Sequence, residues 1–127
     1  MKKYIAIWTS VFTMFFPSIS FAEWTWVTMS GTGTMFYVDF DRIRKNSGYV
    51  YFWTLSNYEK TSETGVLSIK AYKKADCGSF RYKILDGSFH SEPMGRGTGR
   101  TWNVLDQWDY PPPDSAVEEV MEKVCKN

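Results

Sequence analysis

Hydrophobic positions along this chain follow two periods, and the switch between them falls at three consecutive prolines, Pro111 to Pro113. Before the prolines, short aromatic and β-branched runs alternate with turn residues, the pattern of strands. Trp24 to Met29 predicts a first strand and Ser30-Gly31-Thr32-Gly33 a turn. Met35 to Phe40 predicts a second, with Phe36, Val38 and Phe40 on one face. Asp41 to Gly48 reads as a polar connection. Tyr49 to Tyr58 is the longest candidate, with Tyr49, Tyr51, Trp53 and Leu55 on one face and Val50, Phe52 and Tyr58 on the other. A strand apolar on both faces belongs in the middle of a sheet covered twice.

After the polar loop Glu59 to Gly65, alternation becomes cleaner. Leu67, Ile69, Ala71 and Cys77 share one parity, so Cys77 faces the core with them unless a bulge intervenes. Phe80, Tyr82 and Ile84 repeat that parity beyond the Asp76-Cys77-Gly78-Ser79 turn. The opposite parity carries Lys70, Tyr72, Lys74, Arg81 and Lys83. Met94 to Arg100 reads as a glycine-rich loop, and Thr101 to Gln107 as a last short strand.

Prolines fix φ and donate no backbone hydrogen bond, so the triplet ends the strand pattern. Ser115 follows as a helix N-cap, with Glu118 at the capping-box spacing. Val117, Val120, Met121, Val124 and Cys125 then share one face of a short amphipathic helix.

The N-terminus has a different composition. Lys2 and Lys3 precede an apolar run from Ile5 to Phe16, Pro17 breaks it, and Ser20-Phe21-Ala22 presents small residues at the cleavage positions. Residues 1–22 read as a secretory signal cleaved between Ala22 and Glu23, and 23–127 as one domain. The run is shorter than the ~20 apolar residues of a membrane span. Cleavage removes Lys2 and Lys3 and no acid, leaving 13 basic against 14 acidic side chains, so the formal charge moves from +1 to −1.

Composition then narrows the chemistry. Two cysteines in an exported chain read as one disulfide, Cys77–Cys125; two free thiols or half of a metal site are the alternatives. Zinc needs four ligands, and His90 is the sole histidine. No activated-nucleophile motif is present. Asp39 and Asp41 fit turn residues paired with Arg42 or Arg44 better than a calcium site, which needs six or more oxygens. Gly95 to Gly99 lacks the Lys-Ser/Thr and the helix of a phosphate loop. No enzyme, resident cofactor, metal or nucleic-acid partner is expected.

Several ordered stretches carry a resemblance. They are Tyr37-Val38-Asp39 with Ile43-Arg44, Tyr51-Phe52-Trp53-x-Leu55-x-Asn57-Tyr58, and Ser68-x-Lys70-x-Tyr72 leading to Asp76-Cys77. Met94-Gly95 with Gly97, and Trp108-x-Tyr110-Pro111-x-Pro113-x-Ser115 leading to Val124-Cys125, complete the set. In order and spacing the chain resembles the bacterial surface-adhesin E family. The resemblance implies an α+β fold: a six-stranded antiparallel sheet with the C-terminal helix on its concave face, tethered by the cysteine pair. It also implies a homodimer and binding of host proteins such as laminin, vitronectin and plasminogen, with haem as a further ligand. A lipid anchor would need a cysteine after the signal run, and none is there. The expected location is therefore periplasmic, secreted or outer-surface without a lipid anchor.

Two surfaces are candidates for binding. The basic hairpin face of Lys70, Tyr72, Lys74, Arg81 and Lys83 would attract acidic partners. The aromatic face of Tyr49, Tyr51 and Trp53 would bury against a ligand or a second copy. The leading expectation is an exported, non-enzymatic adhesin-like module. The alternative is a soluble periplasmic envelope-associated structural protein that dimerises and has no host ligand.

Overall fold

The computed structural model describes residues 22–127. Residues 1–21 of the expected signal lie outside the described residues, and the expected cleavage point falls at their edge. The described chain forms β1 (Thr25–Met29), β2 (Met35–Val38), β3 (Arg44–Asn46), β4 (Tyr49–Asn57), β5 (Ser68–Asp76), β6 (Arg81–His90), β7 (Gly99–Thr101) and α1 (Ala116–Lys126). Every strand pairing is antiparallel, in the order β1-β2-β4-β5-β6-β7. β2 pairs with Thr54–Asn57 of β4 and β3 pairs with Tyr49–Tyr51, so the two short strands share one edge of β4. The sheet is thus six strands across and seven in count.

The helix starts where its cap is expected. Ser115 Oγ accepts from Glu118 N at 3.1 Å. The reciprocal arm is displaced by one residue, because Glu118 Oε1 accepts from Asp114 N at 3.0 Å. The apolar face of α1 places Val120, Met121 and Val124 in one buried cluster with Val38, Val50, Phe52 and Ala75. Full burial of such side chains contributes roughly 1.5–3 kcal/mol each. The Cys77–Cys125 disulfide ties the end of α1 to the β5–β6 turn across a sequence separation of 48. The parity that aimed Cys77 at the helix is the parity observed.

Register assigns the two faces. Val50, Phe52 and Thr54 stand opposite Ala75, Lys73 and Ala71 on the helix side. Tyr51, Trp53 and Leu55 stand opposite Lys74, Tyr72 and Lys70 on the other side.

Several boundaries differ from expectation. Phe40 leaves the second strand for a 3-10 turn, Phe40–Arg42, yet still packs on the core. The polar connection contains β3, whose three residues are all exposed. β6 continues through Asp86-Gly87 to His90, with a bulge opposite Tyr72/Lys73 that makes Leu85 the extra residue. One extra residue inverts the alternation beyond it, so Asp86, Ser88 and His90 join the face of Lys70 and Tyr72. The glycine-rich stretch supplies a second 3-10 turn, Pro93–Gly95, and the edge strand β7. Of the expected last strand only Thr101 is extended in the sheet, while Asp109 forms an isolated bridge with Tyr82. Trp102 lies over Gly87, where any Cβ would collide with its ring, and against Phe89 at 4.7 Å.

Candidate functional site

The helix leaves one sheet face uncovered, and the two surfaces expected separately prove to be this same face. β4 contributes Tyr49, Tyr51 and Trp53, β5 contributes Lys70, Tyr72 and Lys74, and β6 contributes Arg81 and Lys83. The reason is register alone: Tyr51 pairs with Lys74, Trp53 with Tyr72 and Lys74 with Lys83. Cross-strand partners share a face, so the aromatic row and the basic row lie side by side.

A loop closes one end of this face. The Met94 amide donates to Asn57 Oδ1 and the Gly95 amide to Ser68 Oγ, both at 2.8 Å. Ser68 Oγ in turn donates to Glu92 O at 2.6 Å. These bonds hold Met94 at a left-handed φ of 61° and set the turn against β4, β5 and β6. Leu55 and Ser68, both on this face, are fully buried. The apolar excess of β4 is thus hidden at that end and half-exposed at the other.

The half-exposed end centres on Trp108, which the sequence reading placed in the proline stretch without a role. Asp109 bridges to Tyr82, with Tyr82 N–H donating to Asp109 O at 2.9 Å and Asp109 N–H to Tyr82 O at 2.8 Å. This carries the adjacent Trp108 to the opposite parity, beside Arg81 and Lys83. The Arg81 guanidinium lies 4.3 Å from its ring centre, Lys83 Nζ 4.9 Å and Lys74 Nζ 5.8 Å. Lys74 Nζ also lies 4.0 Å from the centre of Tyr49, whose ring stacks on Trp108 at 6.0 Å. Trp53 and Tyr72 meet at 4.9 Å. Each cation over an aromatic face contributes about 0.5–1 kcal/mol at an exposed site.

Carboxylates partly neutralise the cluster. Arg81 pairs with Asp76 at 3.0 Å and Lys83 with Asp106 at 2.7 Å. The Lys83 hydrogen bond and charge hold the Asp106 carboxyl below its usual range, and the Arg81 hydrogen bond does the same for Asp76. Lys70 and Lys74 enter none of the ion pairs among the described residues.

Residues singled out for other chemistry are accounted for structurally. Asp39 is buried and pairs with Arg42 at 3.3 Å. His90 closes β6 with 6% of its surface exposed, and its Nε2 lies 2.7 Å from Ser88 Oγ. Burial and the Lys70 charge keep its pKa below the ordinary histidine value. A haem iron needs an imidazole nitrogen presented to an open cavity, whereas His90 Nε2 is taken by Ser88 and its Nδ1, which has no hydrogen-bond partner among the described residues, is itself buried.

Lys73 was not singled out in the sequence, and it faces the helix side between Phe52 and Ile84. Burial lowers its pKa to about 8. The unfolded chain therefore holds this proton more tightly, and stability rises as pH climbs from about 8 toward the ordinary lysine value of about 10.4. Lys73→Met should raise unfolding stability at pH 7 by about 1–3 kcal/mol, scaled down because the side chain is only half-buried. In urea titrations that advantage should shrink between pH 8 and pH 10. An advantage independent of pH would assign the gain to packing.

Among the described residues no helix is long and apolar enough to cross a membrane. No curated protein matches the chain. Solved structures of Haemophilus influenzae protein E do match in fold. Crystal form II aligns at a TM-score of 0.66 with 17% identity, covering 80% of this chain and 87% of that one. Another protein E structure aligns at 0.64 with 16% identity, covering 87% and 89%. Residues 24–126 match the family model described as surface-adhesin protein E, and the chain belongs to that family.

Proposed function

We propose that this chain is an exported, non-catalytic adhesin-like module that recognises host matrix or serum proteins through its helix-free face. The carrying observation is the cluster of Lys74, Arg81 and Lys83 around Trp108, with Lys74 in none of the ion pairs among the described residues and only a longer-range attraction to Asp106. Concentrated positive charge steers acidic partners, and half-exposed aromatic rings supply contact area once they arrive. Family membership supports the adhesin class, and the expected signal segment supports export. The host proteins that fit are those of the laminin, vitronectin and plasminogen class.

The alternative use of the face is self-association in the bacterial envelope. A two-fold dimer sets a patch against its own copy, residue i meeting j and j meeting i, so this basic patch would face another of the same sign. Charge therefore favours an unlike partner here.

The test is binding of the purified oxidised protein to immobilised laminin and vitronectin across a salt series. Saturable binding that weakens with salt and drops at least about tenfold in Lys74→Glu is expected, since a like-charge contact costs more than 1.4 kcal/mol. A folded protein that binds neither, or a salt-insensitive dimer weakened by Trp53→Ala, would replace this reading with the envelope one.

A further inference from the structure

Beyond the Trp108 cluster, the same face carries a second positive group, and the two are joined in a line. Lys70 and Arg96 line a cavity of about 670 Å³ together with Trp24, Met94, Gly95 and Ala22, the last of which the expected cleavage removes. Among the described residues no carboxylate lines it. The Lys70 stem packs on Gly95, which has a φ of +72° and leaves no room for a Cβ beyond tight contact. The Lys70 charge is felt as far as His90.

Lys70 and Lys74 both lie on β5 and on this face, so their Cα atoms are about 13 Å apart along the strand. Tyr72 lies midway, with Trp53 tilted against it at 4.9 Å and Tyr51 stacked beside it at 6.2 Å. The order along the face is therefore cation pair, aromatic platform, cation cluster.

We propose that this line is a track for one chain of a sulfated, uronate-containing glycosaminoglycan. The inference rests on the adhesin reading and names a ligand class for that face. Three features of the face select this occupant. Two positive groups separated by an aromatic platform, with the one exposed carboxylate of Asp86 beside Tyr72, suit a polymer with spaced anions better than a compact acidic patch. Flat, half-exposed rings match the apolar faces of sugar rings, and stacking there needs no base-specific hydrogen bonds. The whole chain carries a formal charge of only +1, and Asp76, Asp86 and Asp106 border the track, which is not the broadly basic footprint of a nucleic-acid binder.

The two positive groups act as linked sites, so affinity depends on ligand length. A ligand too short to span them gains from one group only. Intrinsic tryptophan fluorescence reads binding, because Trp108 and Trp24 sit at the two ends.

The experiment titrates the purified oxidised protein with size-graded heparin oligosaccharides, with chemically desulfated heparin, and with a single-stranded oligonucleotide of matched charge. A dodecasaccharide should bind at least about tenfold more tightly than a disaccharide, which is too short to reach from Lys70 to Lys74, and the double variant Lys70→Ala/Arg96→Ala should erase that difference while retaining disaccharide binding. Lys74→Ala should weaken both lengths. Equal affinity for all lengths, undiminished binding of desulfated heparin, or tighter binding of the oligonucleotide overturns the proposal. Absence of glycan binding with laminin or vitronectin binding intact, and still lost in Lys74→Glu, overturns this inference alone. Absence of both removes the adhesin reading with it.

Discussion

Replacing Cys77 and Cys125 with serine should lower the unfolding free energy by about 4 kcal/mol, the loop-closure entropy of a chain bridged across 48 residues. Domains of this size have only about 5–15 kcal/mol in total. The loss should be local before it is global. α1 is 11 residues long, shorter than the ~12–15 at which an isolated helix holds even marginally. Its structure depends on keeping Val120, Met121 and Val124 against Val50 and Phe52. Without the disulfide, only packing and the Ser115 cap oppose fraying, together with the contact of Lys45 Nζ to Asn127 O at 2.6 Å. Urea unfolding of the double serine variant beside the oxidised protein measures the first effect. Hydrogen exchange of the α1 amides measures the second. A loss under about 1 kcal/mol, with unchanged α1 protection, would show that packing alone seats the helix.

Phe52→Ala should cost about 3–5 kcal/mol, the usual range for emptying a fully buried aromatic site. Phe52 has no exposed surface and sits between β4 and the helix. The next residue makes the informative control. Trp53 projects from the opposite face onto Tyr72 and is half-exposed. Trp53→Ala should cost clearly less stability than Phe52→Ala, although the side chain removed is larger. It should also reduce ligand binding on the helix-free face, whereas folded Phe52→Ala should retain binding. Thermal denaturation and the binding assay together separate the two faces of β4. Equal stability losses at the two positions would mean that the helix-free face is buried in solution, which points to self-association.

The helix was legible in the sequence because everything that forms it is local. The proline stop, Ser115, Glu118 and the apolar spacing from Val117 to Cys125 lie within a few turns of one another. Alternation from Ile69 to Cys77 also gave the correct faces, since a strand turns each side chain by half a revolution whatever its partner. The same logic failed at Leu85. A bulge is a property of the β5–β6 pairing, and it puts His90 on the basic face instead of the face that unbroken alternation from Tyr82 and Ile84 would give it. The sheet edge at β7 was invisible for a related reason. Gly99-Arg100-Thr101 has little strand propensity and is extended because Ser88, Phe89 and His90 offer an unpaired edge.

By itself, then, the sequence determined the strand-rich body, the capped helix, the cysteine pair and the parity of the basic residues, all of which follow from nearest-neighbour chemistry and fixed backbone periods. Only the tertiary structure decided that the basic and aromatic rows share one face, because register between β4, β5 and β6 is chosen by long-range pairing. It also decided that the Met94 turn covers one end of that face and that Trp108 enters the other through the Tyr82–Asp109 bridge. Those contacts join residues far apart in the chain, where no local pattern specifies which backbone hydrogen bonds will form.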